Sequence, residues 1–167
     1  MTDSLTLVNP ESMVRLYGEI PPLERFRLRS INLSWQGPTV TLRLDLSSFP
    51  VALPPDWENV DVDTIQCHLQ FLAVADFSLK EWDPPAHSSA FSTTPLSEER
   101  RMRVQVSGAG VDLSFTSSQF TRVGHVSAFK IEADGTDGGR HIFLQKLDSL
   151  RYETIPGTDE KTFHDHL

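Results

Sequence analysis

Four carboxylates crowd one short stretch of the chain: Asp56, Glu58, Asp61 and Asp63, with no basic residue between them. Such a run has three chemical uses. Carboxylates at alternate positions ligate calcium, but the EF-hand loop needs a glycine at its turn and a glutamate at its end, and neither is here. Paired carboxylates serve a glycosidase, yet nothing else marks a sugar site. The third use is electrostatic. Negative charge without local compensation steers a basic protein partner and suppresses wrong ones. Trp57 within the run and Trp82 beyond it supply the anchor that charge lacks, since binding hot spots favour tryptophan. The expected partner-binding residues are therefore Asp56, Trp57, Glu58, Asp61, Asp63 and Trp82, with Trp57 or Trp82 exposed. The competing role for Trp57 is to pin its proline-rich loop to the core. A plain solvated loop is the competing reading of the whole run.

Other candidate groups lead nowhere catalytic. His164 and His166 flank Asp165, a zinc-like trio, but a tail near the C-terminus loses ordering entropy on binding a metal. Gly135, Gly138 and Gly139 lack the lysine and hydroxyl residue of a phosphate loop and read as a hairpin turn. Ser107-Gly108-Ala109-Gly110 lacks the glycine spacing of a nucleophile elbow. Cys67, His68 and His125 can meet across strands, but no group is evident that would orient a catalytic base. Cys67 sits on the apolar side of a strand and reads as a small buried hydrophobe. No catalytic residue, metal or cofactor is expected.

The elements that position these residues are strands. Val40, Leu42, Leu44 and Leu46 alternate with Thr41, Arg43 and Asp45, and Ile65, Cys67, Leu69 and Phe71 alternate with Gln66, His68 and Gln70. A period of two puts one face of a strand in a core and the other in water. Strands are expected at Arg27–Trp35, with Ile31, Leu33 and Trp35 on one face, then at Pro38–Leu46, Thr64–Ala73 and Phe77 to about Trp82. Further strands are expected at Arg101–Ser107, at Val111–Phe115 after a turn at Gly108 and Gly110, at Val123–Ala133, and at His141–Tyr152. The last also fits a short helix. Asp83–Glu99, polar and proline-bearing, reads as an exposed loop. One short helix is expected, capped by Asn9, entered at Pro10, carrying Met13, Val14, Leu16 and Tyr17, and stopped by Gly18. About eight strands at ten-residue spacing indicate a mostly β fold, an antiparallel sandwich or curved sheet with a short N-terminal helix. Val40, Leu42, Leu44, Ile65, Leu69, Phe71, Val104 and Leu113 are expected in one core.

Length and composition bound the rest. The 167 residues fit one domain spanning 1–167, with a mobile tail from about residue 156. A formal charge of −8 argues against a nucleic-acid partner and permits a basic protein one. Met1–Asn9 has no basic n-region, and no apolar stretch approaches membrane-spanning length, so no membrane association and a cytoplasmic location are expected. A lone cysteine excludes an intramolecular disulfide and fits a reducing compartment.

A family pattern runs through these strands. Leu16-Tyr17-Gly18-Glu19-Ile20-Pro21-Pro22-Leu23, followed by Arg27-Leu28-Arg29-Ser30-Ile31-Asn32-Leu33, resembles the opening of the immunity protein 50 family of bacterial polymorphic-toxin systems. Glu24 and Arg25 stand where other members tend to carry a histidine or aspartate pair. The likeness continues through Pro54-Pro55-Asp56-Trp57, Thr64–Phe71 and Phe77–Trp82, and covers roughly residues 14 to 130. It implies a cytosolic antitoxin that binds a cognate toxin, encoded nearby, tightly and stoichiometrically. It also implies no catalytic residue. The alternatives left by the residues themselves are a small acidic β-sandwich enzyme or ligand-binding module, its site assembled from distant residues, and a general interaction scaffold.

Overall fold

The computed structural model describes residues 6–19, 21, 23, 25–50, 53–58, 60–135 and 141–144, with the side chains of Ser12, Asp56 and Ser89 excepted. The expected tail, the His164–His166 trio, Gly138, Gly139 and most of His141–Tyr152 lie outside the described residues.

The alternating segments build an antiparallel meander. Strand β2 (Phe26–Ser34) pairs with β3 (Thr39–Leu46), and β3 with β4 (Thr64–Phe71). Beyond β4 lies β7 (Phe120–Phe129), whose far edge carries two short strands, β1 (Thr6–Leu7), parallel, and β8 (Ile142–Phe143), antiparallel. On the other side, β2 pairs with β5 (Ala75–Pro95) only at Arg27 and Leu28, and β5 pairs along its length with β6 (Arg101–Ser118). Of the two expected forms, sandwich or curved sheet, the chain adopts the second: one eight-stranded sheet curled into a half-barrel.

The long β5–β6 hairpin corrects the sequence reading. Asp83–Glu99 is not a loop: β5 runs through it to Pro95. Nor does the chain turn at Gly108 and Gly110, because β6 is continuous from Arg101 to Ser118. Pro84 and Pro85 sit in a bulge, as does the broken alternation, while Pro95 ends the strand opposite Met102. β5 uses 21 residues opposite Met102–Thr116, and the largest irregularity, Trp82 to His87 against Val111 to Ala109, holds Pro84 and Pro85. A bulge leaves residues without ladder bonds, so proline is tolerated there. Gly110 has φ +87° opposite this bulge, and a Cβ there would lie 2.7 Å from the Asp83 carbonyl oxygen. Only glycine fits that position.

Helix α1 (Glu11–Tyr17) forms as expected but is capped differently. Pro10 occupies the N-cap, and Asn9 instead ties the helix to β7, its amide donating to the Val123 carbonyl (2.6 Å) while its Oδ1 accepts the Val123 N–H (2.9 Å). Gly18 ends the helix in the left-handed region, its N–H donating to the Val14 carbonyl. Met13 and Leu16 enter the core, where all eight residues expected there are buried. The Phe71 and Phe115 rings meet edge to face at 5.1 Å, joining the meander to β6.

Cys67 is fully buried on this apolar side, and burial, with the Asp45 charge adding to it, pushes its thiol up to about 12. Trp35 departs from its expected place. The strand ends at Ser34, and Trp35 opens the hairpin turn with 79% of its surface in water.

Leu69 lies at the centre of the core, in register with Leu42 and Val123. Leu69→Ala is expected to lower unfolding free energy by about 2–5 kcal/mol. Chemical denaturation checks this, and an unchanged midpoint would contradict the packing.

Candidate functional site

The second face of the meander is polar and yet largely buried, which period-two alternation alone does not anticipate. One row of paired residues crosses six strands: His87 on β5, Arg27 on β2, Asp45 on β3, Gln66 on β4, Ser127 on β7 and Phe143 on β8. Arg29 joins the row because β2 bulges between Leu28 and Ser30. Its Nε and Nη2 both donate to Asp45 Oδ2, at 2.9 and 2.6 Å. Gln66 Nε2 donates to Asp45 Oδ1 at 2.7 Å. The Arg29 guanidinium lies 5.6 Å from the centre of the Phe129 ring, and His141 stacks on that ring at 4.6 Å. Ser127 Oγ and His141 Nδ1 are 2.8 Å apart. That is the separation of a nucleophile and its base, but Ser127 has no exposed surface for a substrate to reach. Cys67, His68 and His125, grouped on sequence grounds, separate across the sheet. The two imidazoles meet edge to face at 5.3 Å where β7 bulges, and Cys67 faces the apolar core.

At one end the row opens into a cleft of about 390 Å³ beside Arg25, Arg27, Asp45, Thr64, His87 and Ser88. It lies at the end of the half-barrel where β3 leaves and β4 enters. The acidic loop therefore forms its rim.

Two features of that loop bear on its sequence reading, which left Trp57 either as an anchor or as a pin to the core. Trp57 is not an exposed anchor. It ends a single 3₁₀ turn (Pro55–Trp57) and is buried in the core, 2% exposed, so it pins the loop. The negative run is also compensated. Lys130, arriving from the far end of β7, lies 3.6 Å from Asp61 and 3.4 Å from Asp63. Asp63 is a fastener: its Oδ1 accepts from the Ile131 N–H and the Thr64 hydroxyl, each at 2.9 Å. Slight burial works against ionisation, but the Ile131, Thr64 and Lys130 donors prevail and hold this carboxyl below its usual range. Asp61 and Asp63 in turn raise the Lys130 ammonium above its ordinary value. Glu58 and Asp61 point to solvent, and Trp82 is half-buried on β5. The Asp56 side chain lies outside the described residues. The structure thus gathers Glu58, Asp61 and Asp63 on one rim, places Trp82 on a different strand and withdraws Trp57. Sequence reasoning missed Lys130, Arg29 and Arg27, whose partners lie 16 to 108 residues away, and Arg25 beside them. It also missed Trp35 as the exposed tryptophan.

Among the described residues there is no cluster of three or more histidine, cysteine, aspartate or glutamate side chains able to hold a metal, and no helix long and apolar enough to cross a membrane. The fold and its rim define a small β-sheet protein organised around a buried polar row, with charged groups displayed at one end. The family model for immunity protein 50 matches residues 9–126, from the residue that fastens the helix through most of β7, and the chain belongs to that family. No curated protein and no solved structure matches it.

Two outcomes follow from the geometry. Asp45→Ala leaves Arg29 charged, buried and without its carboxylate, a loss of about 3–5 kcal/mol. Replacing both partners, as Arg29→Met with Asp45→Leu, should recover part of it. A double variant no more stable than Asp45→Ala, by chemical denaturation, would contradict this. For Asp63 the folded-state carboxyl is more acidic than the unfolded one. Its contribution is therefore present above the unfolded value of about 3.9 and lost as pH falls through the folded value. The melting-temperature difference between wild type and Asp63→Asn should be largest near neutral pH and shrink below about pH 4. A difference independent of pH would mean that the carboxylate charge does not fasten the loop.

Proposed function

We propose that this immunity-family protein is a cytoplasmic, non-enzymatic antitoxin that neutralises a cognate toxin, encoded nearby, by binding it directly and stoichiometrically. The observation that carries this reading is membership of the immunity protein 50 family over residues 9–126. The loop supports it. Glu58 and Asp61 are displayed in water on a segment fixed at both ends, by the buried Trp57 on one side and the Asp63–Ile131 contact on the other. A charged surface already held in place loses little ordering entropy when a partner docks. The partner surface on this reading comprises Asp56, Glu58, Asp61 and Asp63, with half-buried Trp82 as the neighbouring aromatic candidate. Trp57 supports the loop from behind. The overall charge of −8 favours a basic toxin face and disfavours nucleic acid.

The test begins with co-expression beside the product of the adjacent gene, reading suppression of toxicity and recovery of a stable complex. Within that complex, a variant carrying Asp56→Asn, Glu58→Gln and Asp61→Asn, with Asp63 retained as fastener, should associate more slowly and show a flatter salt dependence. Its melting curve should stay close to wild type. Suppression of toxicity without a complex would overturn direct binding. A complex whose association kinetics the triple variant leaves unchanged would move the interface off this loop.

A further inference from the structure

The cleft at the end of the polar row has a charge character opposite to that of the protein as a whole. Arg25, Arg27 and His87 line it, in a chain of formal charge −8. Arg27 and His87 are paired neighbours on β2 and β5, so their side chains share a face. Among the described residues, the carboxylate that lines the cleft with them, Asp45, is engaged by other groups. Both Asp45 oxygens are engaged, Oδ2 by Arg29 and Oδ1 by Gln66. At the rim, Asp61 and Asp63 are drawn to Lys130. Arg27 Nη1 donates to the Gly135 carbonyl at 2.9 Å, a neutral acceptor, while its buried Nε–H has no hydrogen-bond partner among the described residues. A buried donor on a charged group is costly to leave unmatched, more so than a neutral one. Ser88 lines the cleft, and its Oγ accepts the Phe26 N–H, a bond that does not use the hydroxyl's own proton.

Guanidinium donors beside a hydroxyl, in a concave site, match the planar or tetrahedral oxygens of an oxyanion. We propose that this cleft is an oxyanion-binding site, taking one carboxylate or phosphate group on Arg27 and Arg25, with Ser88 and His87 as flanking contacts. At about 390 Å³ it has room for an acidic side chain or a small free anion. The two sources share one chemistry: an acidic side chain presented by a partner protein, or a free phosphate. The inference stands apart from the toxin-binding reading, because the cleft can be tested on the isolated protein.

The experiment titrates the full-length protein with inorganic phosphate and, separately, with N-acetylglutamate. Ionic strength is held constant with sodium chloride. The backbone amide of Ser88 and the Arg27 Nε–Hε signal are followed by NMR. Saturable shifts of both signals with at least one probe are expected. Saturation with phosphate alone identifies the free anion, and with N-acetylglutamate alone the carboxylate of a partner. Saturation with both leaves the shared oxyanion chemistry as the proposal states it. Arg27→Gln should weaken the Ser88 response by about tenfold or more, and Arg27→Lys by less, because a charge-assisted bond and a bidentate fork are lost in the first and only the fork in the second. If Arg27→Gln unfolds the protein, exposed Arg25→Gln makes the same test with the fold intact. The absence of a saturable shift with either probe would overturn the proposal. So would an affinity unchanged in Arg25→Gln and in any folded Arg27 variant.

Discussion

The Asp45 carboxylate is the constraint around which the sheet is arranged. A buried carboxylate is tolerated only when its oxygens are met by well-placed donors. Here three hydrogen bonds reach it, two from Arg29 and one from Gln66. Each donor implies something about the backbone. Gln66 stands opposite Asp45 only in the observed β3–β4 register. A one-residue slip would turn Gln66 toward Leu42, Leu44 and the apolar core, because side chains alternate faces along a strand. Arg29 reaches Asp45 only because β2 takes one extra residue there, which lets Leu28 and Ile31 both face the core with Arg29 between them. The apolar side favours collapse of the meander, and the polar side selects one way of making it.

The same constraint decides what the open end of the half-barrel presents. Asp45 is committed inward, so the cationic groups beside it are not spent on it. The chain leaving β3 must cross to β4 at this end, and it does so through a segment in which Trp57 turns in while Glu58 and Asp61 turn out. Asp63 and Lys130 then join that crossing to the end of β7. The rim and the cleft are adjacent because Thr64 belongs to both: it donates to Asp63 and lines the cavity.

Fold class was legible wherever one side of a strand is apolar and the other polar. Val40–Leu46 and Ile65–Phe71 show this, and their core members were identified from spacing alone. Period two says which side chains share a face, but not whether the polar face meets water. Gln66 and His68 read as solvent-facing and are buried, since what covers a face depends on elements distant in sequence. β5 was illegible for another reason. Its extra residues break the period repeatedly, and Pro84, Pro85 and Pro95 imitate a loop. The acidic run was visible as composition, but its compensation was not, because Lys130 lies 67 positions beyond Asp63. Spacing left Trp57 either as an exposed anchor or as a pin for its loop, and the turn there points it inward. Trp35, in a strand pattern, reads as buried, yet the strand ends one residue before it.

An acidic rim beside an arginine-lined cleft has a consequence for selectivity that neither has alone. On the proposed reading, a uniformly basic surface gains from Glu58 and Asp61 but meets Arg25 and Arg27 a short distance away. Like charges brought together across an interface are costly. A uniformly acidic surface has the reverse difficulty. The face that satisfies both is basic where it covers the loop and carries a carboxylate where it covers the cleft. Such a pair of opposite charges also fixes orientation, because rotating the partner exchanges attraction for repulsion at both points. Discrimination built this way comes as much from penalising wrong partners as from rewarding the right one. It requires that the two patches keep a fixed spacing, and that spacing follows from the Asp63–Ile131 and Asp45–Arg29 contacts on either side of them.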